Sequence, residues 1–438
     1  MKKIKKGPAL WRRAKKIIPG GSQLLSKRSE LFLPDRWPSY FKKAKGVEVW
    51  DLDGNKYIDT CASIGACILG YADLDVNKAV KRVIDKGNTS TLNAPEDVEL
   101  AELLCQLHPW AKMVRYARGG GEAMTVAVRI ARAYTGKDKV AFCGYHGWQD
   151  WYLAANLADD KNLDEHLLPG LAPKGTPRGL IGTALPFHYN NIQELEKIVA
   201  DNKDIGAIVM EPVRDHDPQN NFLAKVKKIA DEIGAVLIFD EVTIGWRLTV
   251  GGAHLKYGVN PDIAVFAKGI SNGFPMAAII GVEKVMQAAQ DSFISSSYWT
   301  ERIGPTAALA TIRKMISKKV PQHLEKIGRI FKNGLCEAGK KTGLNIEVTG
   351  FPQLIYFSFN YGQESQAVMT LFTQEMLKRG FLTAGNIDIS YALKDEHAKV
   401  YLQTAREVFS ILKKAVDQGE IHKLLEGPVA HTKFTRLT

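Results

Sequence analysis

Along the chain, apolar residues gather in short unbroken runs at 139–145, 206–210, 235–239, 263–267 and 277–280. Each run has the length of a strand, and its continuous apolar character suits a strand covered on both faces. The stretches between them carry a helical repeat. Asn191, with Glu194 three residues later, forms a capping box ahead of Leu195, Ile198 and Val199; Leu223, Val226, Ile229 and Ile233 recur at helical spacing until Gly234 supplies a stop. Such alternation predicts an α/β fold around a mainly parallel sheet. Upstream, 47–50, the turn Asp51-Leu52-Asp53-Gly54 and 56–58 read as strand, turn, strand, because Asp-Gly tolerates the positive φ of a tight hairpin. A helix beginning at Pro305 precedes a region from about 330 to 425 with a strand at 354–359 and helices at 367–379 and 396–418, which reads as a smaller α+β lobe.

Length and charge narrow the picture. The 438 residues provide for two or three lobes. The expected division is 1–74 as an N-terminal arm and strands packing with the small domain, 75–329 as the large domain, and 330–438 as the C-terminal small domain. The five cysteines are odd in number and widely spaced, without a C-x-x-C pair, which argues against a disulfide framework or a zinc cage. The formal charge of +12 lies entirely in residues 1–45, where fourteen Lys or Arg face only Glu30 and Asp35. Charge concentrated in this way describes a basic arm suited to touching anions, lipid or a partner subunit, rather than a nucleic-acid-binding face. Neither a signal-peptide pattern nor an apolar run of about 18 residues is present, so the expectation is a cytoplasmic protein without membrane or nucleic-acid partners.

Four segments carry candidate chemistry. The run 235–239 leads directly into Asp240-Glu241, placing an acid at the carboxyl end of a buried strand, where α/β sheets bind ligands. Lys268 ends the run 263–267; partial desolvation there favours the neutral, nucleophilic amine. Arg118-Gly119-Gly120-Gly121-Glu122-Ala123 opens a helix with an expected inner face of Ala123, Ala127, Ile130 and Tyr134, closing at Gly136. Glycines at a helix start expose N–H groups to a phosphate, but the segment is not G-x-G-x-x-G and no strand is evident before it. Finally, Gly144-Tyr145-His146-Gly147 follows a strand and offers an aromatic ring for stacking on a planar heterocycle. Taken singly, each has a plain counterpart: a solvated acid, a solvated lysine, a flexible turn, ordinary aromatic packing or, less readily, a Cys143–His146 metal pair.

Together they describe a site for pyridoxal 5'-phosphate, which requires a lysine for its aldehyde, an acid beside its pyridine nitrogen, a phosphate cradle and a ring to stack on. Asp240-Glu241-Val242 and Lys268, with Gly245-Trp246-Arg247, Gly251-Gly252-Ala253 and Pro261-Asp262 between them, closely resemble the signature of class III aminotransferases. Within that class the order of Pro19-Gly20-Gly21, the Asp51–Gly54 turn, Tyr57-Ile58-Asp59, Leu69-Gly70, Tyr145-His146-Gly147 and Glu211-Pro212 is most similar to the glutamate-1-semialdehyde 2,1-aminomutase branch. The resemblance implies the fold type I of pyridoxal-phosphate-dependent transferases, with a large domain on a mainly parallel seven-stranded sheet. It implies Lys268 as the lysine joined to the cofactor, Asp240 on the pyridinium nitrogen, Tyr145 stacked on the ring, and Gly120 and Gly121 on the phosphate. His146, Glu211 and Val242 also fall among the cofactor contacts. Thr300 would reach the phosphate of a neighbouring subunit, which requires a homodimer with shared active sites.

The departures from the family concern mostly the substrate. Gly119-Gly120-Gly121 stands where the family has Ser-Gly-Thr, so a threonine hydroxyl is missing from the cradle. The aminomutase's substrate-binding Asn-Ser-Pro-Val-Arg is replaced around Ser26-Lys27-Arg28, its Ser-Trp-Gly-Pro by Ser63-Ile64-Gly65-Ala66, and the loop after Glu211-Pro212 by Val213-Arg214-Asp215-His216. Lys27, Arg28, Ser63 and Arg214 become the candidate substrate residues. The resulting reading is an aminotransferase moving an amino group between a small-molecule donor and a keto or aldehyde acceptor, with the aminomutase as the alternative. A nicotinamide-dependent oxidoreductase is a remote third possibility and lacks its dinucleotide fingerprint.

Overall fold

The computed structural model describes residues 5–166, 169–434 and Leu437. The chain forms two compact units, one comprising everything up to Asp73 together with everything from Gln322 onward, the other Leu74–Pro321.

The Leu74–Pro321 unit is built on a seven-stranded sheet. Its strands, β1 to β7 in chain order, are Met113–Ala117, Lys139–Cys143, Ala184–Pro186, Ile205–Met210, Val236–Asp240, Ile263–Phe266 and Ala277–Gly281. The spatial order is β1-β7-β6-β5-β4-β2-β3. From β6 to β3 every pairing is parallel, whereas β7 runs antiparallel to both of its neighbours. All five apolar runs are strands. Their residues alternate between two cores: Val140, Phe142, Val209, Ile238, Val265 and Ile279 face the helix Gly120–Thr135, while Ala141, Ile208, Met210, Leu237 and Phe239 face the helices Ile192–Asp201 and Phe222–Ile233. Burial on both faces explains the absence of polar alternation.

Three details differ from the sequence expectation. A strand, β1, does precede the glycine-rich turn; it pairs on one side only, and of its residues only Ala117 is buried, so the run never becomes continuously apolar. The three-residue β3 at the opposite edge is likewise too short to show as a pattern. Tyr134 lies exposed rather than on the inner face of its helix, where Ala123, Ala127, Ile130 and Ala131 pack. The helix signals at 191 and 234 hold: Asn191 Oδ1 accepts the Glu194 N–H at 3.4 Å, and Gly234 adopts φ 67° at the helix end.

In the other unit, Phe41–Lys45, Glu48–Asp51 and Lys56–Asp59 form an antiparallel meander, extended by Phe381–Leu382 pairing parallel to the last strand. A second sheet joins Ile346–Phe351, Leu354–Phe359 and Asn386–Asp388. The basic arm is folded: its helix Lys6–Ile17 buries Trp11 and Ala14, and Glu30 Oε1 accepts from Trp11 Nε1 at 3.0 Å and Lys15 Nζ at 3.2 Å. Arg12, Arg13 and Lys16 point to solvent. The chain re-enters this unit just inside the continuous helix Val320–Thr342, rather than near residue 330. That helix meets the Pro352 backbone at Gly328, where a Cβ would lie 1.7 Å from the Pro352 carbonyl oxygen. Neither backbone yields easily, so Gly328→Ala is expected to cost about 2–3 kcal/mol, read as a lower urea midpoint for the transition of this unit.

Candidate active site

Asp240 is the last residue of β5 and is 3% exposed. A carboxylate buried there requires donors, and two are supplied: Oδ1 accepts the Val242 N–H at 3.0 Å and Oδ2 faces His146 Nδ1 at 2.8 Å. His146 is itself fixed, with Nε2 against the Cys143 carbonyl at 3.0 Å and Trp151 stacked at 6.2 Å. Both ring nitrogens therefore face protein acceptors, which removes His146 from any metal pairing with Cys143.

Lys268 follows β6 after the extended Ala267 and opens a 3-10 turn at φ 46°. Positive φ in a lysine is strained backbone, the kind found where a side chain must be aimed. Its Nζ donates to Thr243 Oγ1 at 2.9 Å. Thr243, three residues beyond Asp240, was not legible as a site residue; the only signal was its place in the loop leaving a buried strand.

The glycine segment brings these parts together. Glu122 folds back so that Oε2 accepts the N–H groups of Arg118 at 2.8 Å and Gly119 at 3.2 Å, while the N–H groups of Gly120 and Gly121 belong to the first helical turn and have no intrahelical acceptor. A Cβ on Gly120 would lie 2.9 Å from Val242 Cγ1 and 3.5 Å from the Ala267 Cβ. The helix start thus rests on the residues adjoining Asp240 and Lys268. A Cβ on Gly121 would meet the carboxamide of Gln149 at 2.7 Å. Arg118 reaches from the same turn to the carbonyls of Trp299 and Glu301, each at 2.9 Å, and to the Glu301 carboxylate at 2.8 Å. Between them Thr300 is exposed, its Oγ1 donating to Ser297 O at 2.9 Å.

Glu211, just past β4, is buried, and its Oε2 has no hydrogen bond; Arg214 Nη1 lies 3.6 Å away. Burial pushes the Glu211 carboxyl up, Arg214 opposes the shift, and Asp240 reinforces it. Tyr145 is 37% exposed and meets Tyr152 edge-on at 6.1 Å, a geometry that leaves a face available for stacking. Asp240, His146, Glu211, Tyr145, Arg214, Val242, Lys268, Gly120, Gly121 and Thr300 all belong to the Leu74–Pro321 unit; Lys27, Arg28 and Ser63 belong to the other.

Behind Asp240 lies a buried network that the sequence reading missed. Glu241 accepts the N–H groups of Ala253 at 2.8 Å and His254 at 3.0 Å, and His254 Nδ1 at 2.7 Å. His254 Nε2 accepts from Trp110 Nε1 at 3.1 Å. His108 faces Leu104 O through Nδ1 at 2.9 Å and accepts the Gly252 N–H through Nε2 at 3.0 Å, a pattern that only the neutral ring satisfies. Burial accordingly holds His108 down to about 4. The unfolded chain takes up this proton first on acidification, so the contribution of His108 is full above its ordinary value of about 6.5 and is lost as pH falls toward about 4, a loss of about 3 kcal/mol. His166, also lowered to about 4, adds a parallel dependence. The urea midpoint should therefore drop through this window, and less steeply in His108→Asn.

Residues 34–404 match the family model for class-III aminotransferases, and the chain belongs to that family. It is a pyridoxal-phosphate-dependent aminotransferase of fold type I. Among curated relatives, it is 30% identical to the 3-aminobutyryl-CoA aminotransferase of Cloacimonas acidaminovorans, covering 94% of this chain and 98% of that one. It is 32% identical to the glutamate-1-semialdehyde 2,1-aminomutase of Methanothermobacter thermautotrophicus, covering 93% and 100%. Among solved structures, the pyridoxal phosphate internal aldimine form of the Sphingopyxis sp. MTA144 FumI protein superposes with a TM-score of 0.86 at 26% identity, over 96% of this chain and 99% of that one. The residues present fit the cofactor: a glycine cradle that a Cβ would fill, an amine on a strained strand end, and a buried carboxylate oriented by two donors.

Proposed function

We propose that amino transfer runs between a small-molecule amino donor and a keto or aldehyde acceptor at the cluster around Lys268 and Asp240. The reading rests on the contact of Gly120 with Val242 and Ala267, which sets a phosphate-binding helix start against the loops carrying the acid and the lysine. Lys268 Nζ would hold the cofactor's aldehyde carbon, and its amine is the base that would take the proton from the amine-bearing substrate carbon. Thr243 Oγ1 holds that amine on the side facing Asp240's loop. Asp240, braced by His146 and the Val242 N–H, holds a proton on the pyridine nitrogen. Tyr145 would stack on the ring, and the first-turn N–H groups of Gly120 and Gly121 would bind the phosphate. When bound, pyridoxal phosphate supplies the electron sink that makes the substrate carbon acidic.

Arg214, half-exposed beside Glu211, offers an anionic substrate group a partner; Lys27, Arg28 and Ser63 are substrate candidates on resemblance alone. The enzyme works as a cytoplasmic homodimer in which Thr300 serves the partner's phosphate. Supporting this are the exposure of Thr300, its tether through Arg118, and the neighbouring exposed side chains of Phe293 and Tyr298.

Purified protein is expected to show a yellow absorption band that is absent in Lys268→Ala, with activity reduced by about 10²–10⁴-fold or more. Glutamate or alanine should discharge the band; if no common donor does so, the intramolecular aminomutase reading takes its place. Sedimentation should give a dimer, and Thr300→Ala should weaken pyridoxal phosphate binding without loss of the dimer. A monomer with full cofactor affinity would refute the shared site.

A further inference from the structure

Gln149 sits where the cradle has an empty position. Gly121 has no left-handed φ, so its backbone accommodates a side chain; what occupies the space is the Gln149 carboxamide, 2.7 Å (Oε1) and 2.8 Å (Nε2) from where a Gly121 Cβ would stand. Gly147 completes the fit: a Cβ there would lie 2.5 Å from Gln149 Oε1 and 2.9 Å from Gly121 Cα. Two glycines, one after β2 and one opening the Gly120–Thr135 helix, thus leave a slot filled by one amide. That amide is oriented, because Oε1 accepts the Trp148 N–H at 3.1 Å. With the oxygen accepting from Trp148, the NH2 group of this half-buried residue is the end left to donate, and among the described residues it has no hydrogen-bond partner. It stands beside the first helical turn, where unpaired N–H groups and the helix dipole already favour an anion.

We propose that Gln149 Nε2 is a phosphate ligand of the cofactor, supplying from a different loop the side-chain donor that Gly121 lacks. This rests on the cofactor site proposed above. The arrangement explains why Gly119-Gly120-Gly121 departs from the family's Ser-Gly-Thr without losing a side-chain contact: a threonine at 121 and a glutamine at 149 compete for one volume, and this chain uses the glutamine. Gln149 touches only the phosphate end, so its contribution is to affinity and placement.

The test is titration of the cofactor-stripped full-length protein with pyridoxal phosphate and, separately, with pyridoxal, followed by visible absorption. A hydrogen bond to a charged group is worth roughly tenfold or more in affinity. Gln149→Ala should raise the dissociation constant for pyridoxal phosphate by roughly that factor while leaving that for pyridoxal within about twofold. Gln149→Glu, which keeps the shape and guards against a folding artefact, should weaken pyridoxal phosphate at least as much, because it sets a carboxylate against the phosphate. Gly121→Thr should be harmful alone and restore pyridoxal phosphate affinity when combined with Gln149→Ala. Equal losses for both ligands, or none, would overturn the inference while leaving the Lys268 site intact. A wild type lacking a Lys268-dependent band would overturn the site reading and this inference with it.

Discussion

A helix can bring its positive end close against the tips of two buried strands where the first-turn residue facing those tips carries no side chain. Here that condition is met at Gly120, whose missing Cβ is the space taken by Val242 and approached by Ala267. Any larger residue would wedge the helix Gly120–Thr135 away from the ends of β5 and β6, and with it the N–H groups that face an anion. The strands in turn are held in register by parallel pairing across the sheet and by two apolar layers. The acid, the lysine and the proposed anion site thus share one close approach supported by a large core.

The strand-end loops do different electrostatic work. Asp240 has a polar partner at each oxygen, the Val242 N–H at Oδ1 and His146 Nδ1 at Oδ2, so its side chain is oriented. Glu211, just past the neighbouring strand β4, has no hydrogen bond on Oε2; burial pushes its carboxyl up, and Arg214 foremost, with His146 and Lys268, opposes that shift. Two acids at the ends of adjacent strands therefore meet different hydrogen-bonding surroundings. Glu241, adjacent to Asp240 in sequence, turns to the opposite side and is consumed by Ala253 and His254. Its hydrogen bonds tie down the start of the loop that bears Thr243, the residue that accepts from Lys268 Nζ.

What was legible in the sequence follows the same physics. Interior strands declared themselves because both faces are apolar, and Asp240 and Lys268 stood out because a charge directly after such a run is unusual. The edge strand β1 was hidden: Arg115 and Tyr116 are half-buried polar residues in its middle, and their polar ends hydrogen-bond to the Ile294 and Asp97 carbonyls, so the run is not continuously apolar. Thr243 and Gln149 were hidden for another reason. Each matters through a contact made across the fold or around a loop, and neither local periodicity nor spacing encodes which small space a side chain will enter.

The charge distribution illustrates a further limit. The excess of Lys and Arg before residue 46 suggested an arm suited to touching anions, lipid or a partner subunit; within its own unit, Trp11 and Ala14 dock the helix Lys6–Ile17, and Glu30 ties both Trp11 and Lys15. A helix can hold many cations and still pack when its buried face is narrow: Gly7, Pro8, Trp11 and Ala14 form that face, and Gly7 admits the Pro38 carbonyl so closely that a Cβ there would overlap it at 2.0 Å. The same device, a glycine conceding its side-chain volume to a neighbour, thus anchors the arm and shapes the proposed cofactor cradle. In each place the neighbour decides what the glycine means: a backbone carbonyl makes it structural, whereas a carboxamide with an unspent donor beside a helix start makes it chemical.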